Sequence, residues 1–134
     1  MNFHHIGLAV SNIEEELKYY RSIGAVEISP IYDDKIQNVK IVFFKLGGIR
    51  HELVAPLTKG SPVDEFLKKR IRLYHTCFEV LDIEKELVMF QKTGALIILP
   101  PTKAIALENR RVTFLLIPSG DLIELLESKS ESKA

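Results

Sequence analysis

The sequence predicts an α+β fold built from two tandem βαβββ modules, and two observations carry this prediction. The first is an internal repeat, because sliding the chain until His5 falls on His75 places residues 5–28 on residues 75–98 with nine identical pairs. The second is that each copy alternates one helical pattern with several short, strand-like apolar runs. A long period that occurs only twice indicates a duplicated supersecondary unit rather than a solenoid.

The repeat continues beyond these pairs with a slightly longer step. The shift that places Glu52 on Glu124 superposes three further identities, Gly48, Glu52 and Leu53 on Gly120, Glu124 and Leu125. The second copy must therefore contain two additional residues, which we expect in a loop around Thr102 to Asn109.

Module one is expected over about residues 3–56. Ser11 is a favourable N-cap for a helix over Asn12–Ser22, the acidic residues that follow suit the positive end of the helix dipole, and Gly24 ends it. Gly47-Gly48 is a turn signal. The predicted strands are Phe3–Val10, Val26–Tyr32, Val39–Leu46 and Ile49–Ala55.

A connector helix is expected over about residues 61–71, with Ser61 as N-cap and Pro62 in the first turn. Module two follows over about residues 73–127, with a helix that is capped by Asp82 and runs to about Thr93. Its predicted strands are Leu73–Val80, Leu96–Leu99, Arg111–Ile117 and Asp121–Glu127. Residues 128–134 should form a charged, frayed tail. The expectation is one domain over residues 1–134.

The bulk composition excludes several classes of function. The 18 basic and 18 acidic residues give a formal net charge of zero, which argues against a nucleic-acid partner. The apolar runs are too short for a membrane span, and no signal-peptide pattern follows Met1. The lone Cys77 has no disulfide partner within the chain. The cytoplasm is therefore the expected compartment.

Two histidines and two glutamates fall on the duplicated frame. His5 and His75 occupy equivalent places on the first strands, and Glu52 and Glu124 do so on the fourth strands. One such residue alone is most often a packing or solvated side chain. Four in register favour a divalent-metal site with two imidazole and two carboxylate ligands.

Three other candidate ligands are left out of this site. His4 and His51 do not repeat, and strand alternation points them away from His5 and Glu52. His51 is interpreted as a half-buried packing residue and Cys77 as a small buried hydrophobic residue.

At these positions the chain resembles the vicinal oxygen chelate superfamily, which includes glyoxalase I, extradiol dioxygenases and bleomycin-resistance proteins, and within it the methylmalonyl-CoA epimerases. The similarity covers nearly all of residues 3–127. The matching stretches are HIGLAV from His5, ELVAPL from Glu52 followed by SPVDEFL from Ser61, YH at Tyr74-His75, FEV from Phe78, and LIEL from Leu122.

The resemblance implies that both modules form one curved eight-stranded sheet around a divalent ion held by His5, Glu52, His75 and Glu124. The ion would be cobalt, nickel, manganese, zinc or iron. The resemblance also implies a small-molecule substrate, in particular an acyl-CoA or another thioester, and a homodimer. One stretch departs from the epimerase pattern, because Ala104–Arg111 replaces a sequence of the Gly-x-His-Gly type.

Such a site suits proton abstraction next to a carbonyl, with Glu52 and Glu124 as the candidate acid–base groups. A carboxylate bound to a dication is a poor base, so either one glutamate loosens from the ion or another group accepts the proton. Three hypotheses follow: an epimerase of an acyl thioester, a glyoxalase I-type isomerase (lactoylglutathione lyase), and a non-catalytic binding protein of the antibiotic-resistance type. An extradiol dioxygenase fits less well because its iron site needs a single carboxylate.

The main local concentration of positive charge lies in and after the connector. It has two interpretations, a solvated helix face or a landing place for the phosphates of a CoA carrier. Its members are Lys68, Lys69, Arg70 and Arg72, with Arg110 and Arg111 in the second module.

Overall fold

The computed structural model describes residues 1–129. Its α-helices are α1 (Ile13–Ser22), α2 (Asp64–Lys68) and α3 (Ile83–Lys92). Its strands are β1 (Asn2–Ala9), β2 (Tyr32–Asp34), β3 (Val39–Leu46), β4 (Ile49–Pro56), β5 (Leu73–Val80), β6 (Leu96–Ala104), β7 (Arg110–Leu116) and β8 (Leu122–Glu127). The strands of module one lie in the order β2-β3-β4-β1, and those of module two lie in the order β5-β8-β7-β6. The predicted α+β class with two tandem βαβββ modules is confirmed.

Residues 1–129 divide into two compact units, one of residues 5–74 and one formed by residues 1–4 with residues 75–129. In the first unit β1 runs parallel to β4, while β4 is antiparallel to β3 and β3 to β2. Ile13 and Leu17 of α1 are buried against Val42, Phe44 and Leu53 of the sheet. The apolar stripe of the helix thus fixes which face of each strand is the core face.

Helix α1 begins one residue later than the sequence indicated, and its cap is Asn12 rather than Ser11. The Asn12 side chain accepts a hydrogen bond of 2.9 Å from the Glu15 amide, whereas Ser11 is exposed. The helix ends at Ser22, and Gly24 follows with φ +114°. The two candidate caps are adjacent and both are favourable types, so only the backbone geometry decides between them.

The predicted strand Val26–Tyr32 is wrong. Val26 makes an isolated bridge with Lys45, and regular pairing resumes only in β2, at Tyr32–Asp34. Glu27 has φ +53°, which turns the backbone out of the extended region, and Pro30 has no amide proton for a ladder. Asp33 and Asp34 belong to β2, and Asp34 at its end accepts hydrogen bonds from the amide and the side chain of Gln37.

The connector helix is shorter than predicted and has no side-chain cap at its N-terminus. Ser61 lies before the helix, where its hydroxyl accepts from the Val63 amide at 3.3 Å. Asp64 accepts from the Gly60 amide at 3.0 Å, which closes a turn in front of the helix. Arg70, with φ +59°, ends the helical path early. The Phe66 ring of the helix packs edge-on against the Tyr74 ring, with centroids 4.9 Å apart.

The second unit repeats the same pattern, with β5 parallel to β8 and β8 antiparallel to β7. Ile83 and Leu87 of α3 are buried in a cluster with Val80, Leu115 and Leu125. The predicted cap is confirmed, because Asp82 accepts a hydrogen bond of 3.1 Å from the Lys85 amide.

The edge strand β6 extends beyond the predicted Leu96–Leu99 and continues through Pro100 and Pro101 to Ala104. Its pairing with β7 is shifted twice, between Ile97 and Leu99 and between Leu99 and Thr102. An edge strand tolerates proline because one row of its amides has no partner in the sheet. The loop expected around Thr102 to Asn109 is thus largely strand and a short 3-10 helix.

The amide of Ser128 donates to the Val80 carbonyl at 2.8 Å, so the predicted tail is attached at its first residue. Residues 130–134 of that tail lie outside the described residues. Within residues 1–129, no helix has the length and apolar character that crossing a bilayer requires.

Candidate metal centre

The first unit places the side chains of His5 and Glu52 in contact. They lie on the parallel neighbours β1 and β4, where Gly7 pairs with Glu52. His5 precedes Gly7 by two residues, so its side chain lies on the same face as that of Glu52. His5 Nε2 is 3.3 Å from Glu52 Oε1, and both side chains are buried.

The second unit reproduces this arrangement with His75 and Glu124. The strands are β5 and β8, and Cys77, two residues after His75, pairs with Glu124. His75 Nε2 lies 3.0 Å from Glu124 Oε1, and both residues are again buried. The backbone register of the two pairs is therefore the same, which is the structural counterpart of the sequence repeat.

The chemistry of this donor set fits a divalent cation. Each unit offers one histidine nitrogen and one carboxylate oxygen side by side, at 3.3 Å in the first unit and 3.0 Å in the second. Burying carboxylates without a compensating positive charge is costly, whereas a dication offsets that cost and imidazole nitrogens complete its coordination. The four residues predicted from the sequence, His5, Glu52, His75 and Glu124, thus lie in two buried pairs, one in each unit, whose donor atoms are of the types that bind a divalent cation.

An aromatic ring that the sequence analysis missed accompanies each imidazole. The Phe43 ring packs edge-on with the ring of His5, at a centroid distance of 5.2 Å and an interplanar angle of 77°. Phe114 does the same with His75, at 5.1 Å and 88°. Both phenylalanines are buried.

His51 and Cys77, which the sequence leaves outside the predicted site, are both at least partly buried. His51 is partly buried, stacks on Phe44 with ring centroids 5.1 Å apart, and has its Nδ1 2.9 Å from the Ile49 carbonyl oxygen. Cys77 is buried.

Several of the arginines considered for CoA binding are held in ion pairs. Arg72 contacts Glu16, Arg110 contacts Glu79 at 2.6 Å, and Arg111 contacts Glu84 and Glu127. Hydrogen bonds from Arg72 lower the pKa of Glu16, and those to Glu127 and Glu84 raise the pKa of Arg111. Lys68, by contrast, is largely exposed and lies 3.6 Å from Glu65.

Comparison with known proteins identifies the family. Residues 4–131 match the sequence profile of the Glyoxalase/Bleomycin resistance protein/Dioxygenase superfamily. The chain belongs to this superfamily. The predicted resemblance to the vicinal oxygen chelate proteins is thereby confirmed.

Relatives with assigned activities are methylmalonyl-CoA epimerases. The mitochondrial methylmalonyl-CoA epimerase of Dictyostelium discoideum is 31% identical over 127 residues, which are 92% of this chain and 76% of the relative. The ethylmalonyl-CoA/methylmalonyl-CoA epimerase of Cereibacter sphaeroides is 29% identical over 83% of this chain and 84% of its own. The crystal structure of methylmalonyl-CoA epimerase from Mycobacterium tuberculosis shares the fold, with a TM-score of 0.82, 22% identity and coverage of 99% of this chain and 92% of that one.

Proposed function

We propose that the protein is a divalent-metal-dependent epimerase of an acyl-CoA thioester, of the methylmalonyl-CoA epimerase type. The observation that carries the proposal is the buried His–Glu pair that occurs in the same register in each module. The epimerase relatives, at 29% and 31% identity, support the assignment of the reaction and of the thioester substrate.

In this proposal His5, Glu52, His75 and Glu124 hold the cation, which is cobalt, nickel, manganese, zinc or iron. When bound, such a cation supplies Lewis-acid stabilisation of the negative charge that develops on the thioester carbonyl oxygen. The chain supplies the four ligand side chains from buried positions on strands, so that each is held in place by its own strand before substrate binds.

Glu52 and Glu124 are the proposed acid–base groups. Inversion at the α-carbon requires that a proton leave one face of the substrate and that another arrive on the opposite face. The duplication supplies one glutamate per module for these two tasks. A carboxylate has two oxygens, so either glutamate can remain a ligand through one oxygen and exchange a proton through the other. That second oxygen would be a weaker base than in a free glutamate, because the positive charge nearby favours the ionised form.

The CoA part of the substrate is expected to contact basic side chains that are not engaged in strong ion pairs. Lys68 is largely exposed and Lys69 follows it at the end of α2. Replacing both by glutamate should raise KM for a CoA ester and leave the metal content unchanged. An unchanged KM would remove these two lysines from the proposal.

The expected assembly is a homodimer, and light scattering measures it.

Exchange of the C2 proton of methylmalonyl-CoA in D2O, with added Co²⁺, tests the function directly. The unmodified protein should incorporate deuterium, and Glu52→Gln and Glu124→Gln should lower the exchange rate by about 100-fold or more. His51→Gln is the matched control, since His51 lies on β4 beside Glu52 but packs on Phe44. Metal content is measured for every variant, so that loss of the ion is separated from loss of the proton acceptor.

A parallel assay with methylglyoxal and glutathione separates the competing functions. Turnover of the hemithioacetal without exchange on methylmalonyl-CoA would replace the proposal by a glyoxalase I-type lactoylglutathione lyase. Failure of both assays in a protein that retains no metal would instead indicate a non-catalytic binding protein.

A further inference from the structure

In each unit a phenylalanine on a third strand lies beside the proposed histidine and glutamate ligands. Phe43 of β3 lies directly opposite Glu52 of β4, and Phe114 of β7 lies directly opposite Glu124 of β8. Each ring also contacts the imidazole of its unit at nearly a right angle. A unit therefore carries histidine, glutamate and phenylalanine side by side on three neighbouring strands.

These two rings do not belong to the hydrophobic cores that the helices cover. In the first unit that core contains Phe44, the next residue along β3, and not Phe43. In the second unit it contains Leu115 and not Phe114. Strand alternation explains the difference, because Phe43 and Phe114 lie on the ligand face while their successors lie on the helix face. Core filling under a helix is therefore not the reason for an aromatic residue at these positions.

An edge-on ring limits how far an imidazole can rotate about its Cβ–Cγ bond. A histidine ligand binds through one particular nitrogen, so a ring that turns freely loses conformational entropy when it binds an ion. In both units the nitrogen that faces the glutamate is Nε2. An aromatic pair in this geometry is also attractive beyond its buried area.

We propose that Phe43 and Phe114 are positioning residues, which hold the imidazoles of His5 and His75 with Nε2 directed toward the cation. The inference rests on the proposed function, because it assumes that these histidines are metal ligands. It adds to the four ligands two residues that act through the histidines.

Titration with Co²⁺ tests the inference, with calorimetry for affinity and visible absorption for the geometry of the bound ion. Phe43→Leu and Phe114→Leu should each weaken Co²⁺ binding by about 10-fold and change the d–d absorption bands. Phe43→Tyr and Phe114→Tyr keep the ring and should restore both the affinity and the spectrum. Thermal unfolding establishes that each variant is folded, and methionine replaces leucine at a position where leucine prevents folding.

Phe44→Leu is the matched control, because Phe44 is a buried phenylalanine on the same strand that faces the helix. It should lower the thermal stability and leave the Co²⁺ affinity and spectrum as they are in the unmodified protein. The inference is overturned if the unmodified protein binds Co²⁺ and the leucine variants bind it with the same affinity and spectrum. That result would leave the proposed function intact. Unmodified protein that binds no Co²⁺ overturns the proposed function and this inference with it.

Discussion

Arg72 donates hydrogen bonds from both terminal nitrogens to the carboxylate of Glu16, at 2.7 and 3.0 Å. The contact joins the end of the connector to helix α1, which lies far earlier in the chain. The backbone of the same arginine is also engaged, since its carbonyl accepts a hydrogen bond of 2.8 Å from the Ala9 amide. The pair therefore fixes where the chain leaves the first module.

Glu16→Gln should lower the free energy of unfolding by about 0.5 kcal/mol at neutral pH, because the Arg72 side chain is about half exposed and solvent screening reduces what this ion pair contributes. Because the hydrogen bonds lower the pKa of Glu16 in the folded state, its contribution is present above the unfolded pKa of about 4.3. It is lost as the pH falls through the lower folded value. Urea unfolding across this range should show that the difference in free energy of unfolding between the variant and the unmodified protein decreases as the pH falls. A difference that increases would contradict the assignment.

Arg111 connects helix α3 to strand β8 through two carboxylates. It donates to Glu84 at 2.6 and 3.0 Å and to Glu127 at 2.8 Å. Arg111→Gln should lower the free energy of unfolding by about 1 kcal/mol, because it removes a partly buried guanidinium group that pairs with two carboxylates. Arg111→Lys should recover less than half of this loss, since an ammonium group cannot reproduce the paired geometry. Urea unfolding measures both, with the exposed Lys85→Gln as control, and full recovery by lysine would show that charge alone matters.

The helix caps provide a direct test of the fold. Asn12→Ala and Asp82→Ala should each lower the free energy of unfolding by about 1 kcal/mol, because each removes the acceptor for an amide in the first turn. Ser11→Ala should be nearly neutral, although Ser11 is an equally good cap by residue type. Thermal unfolding of the three variants measures these changes. A larger effect at Ser11 than at Asn12 would move the start of α1 back by one residue.

A bound cation should stabilise the folded protein by mass action. Free Co²⁺ at 100 times its dissociation constant should raise the free energy of unfolding by about 2.7 kcal/mol, and a chelator should reverse this. His5→Ala and His75→Ala should abolish the increase, since each removes one buried ligand. His51→Ala is the control and should retain it. Scanning calorimetry with and without Co²⁺ measures the difference, and a metal-dependent shift that survives in both ligand variants would place the ion elsewhere.

The repeat predicted most of the architecture because the helical and the strand periodicity are both properties of short segments of the chain. Strands β3 and β5 have the bounds that their apolar patterns indicated, and Asp82 caps α3 as expected. The errors occurred where a tertiary or backbone effect overrode the pattern. Val26–Tyr32 is apolar enough for a strand, but the positive φ of Glu27 interrupts it.

The ligand-face phenylalanines show why the candidate site was only partly predictable. One shift of the sequence superposes the two histidines and a slightly longer one superposes the two glutamates, so the ligands are found by sliding the chain along itself. The first shift places Phe43 on Thr113 and the second places it on Leu115, so neither aligns it with Phe114.

The shorter shift fails because the second copy gains one residue before β7, and the longer shift fails because the two turns are unequal. The β3–β4 turn consists of Gly47 and Gly48, whereas the β7–β8 turn spans residues 117–121. The equivalence of Phe43 and Phe114 across these turns is visible only in the strand pairing.

The sequence by itself determined the duplication, the order of the elements and the four candidate ligands, because residue spacing and apolar period are properties of the chain read in one direction. Only the tertiary structure decided which strands pair in which register, and hence that each His Nε2 reaches a Glu Oε1 and that a phenylalanine ring lies against each imidazole. The physical reason is that a contact between strands depends on hydrogen-bond register and on turn length. The number of residues between two positions in the sequence fixes neither of these.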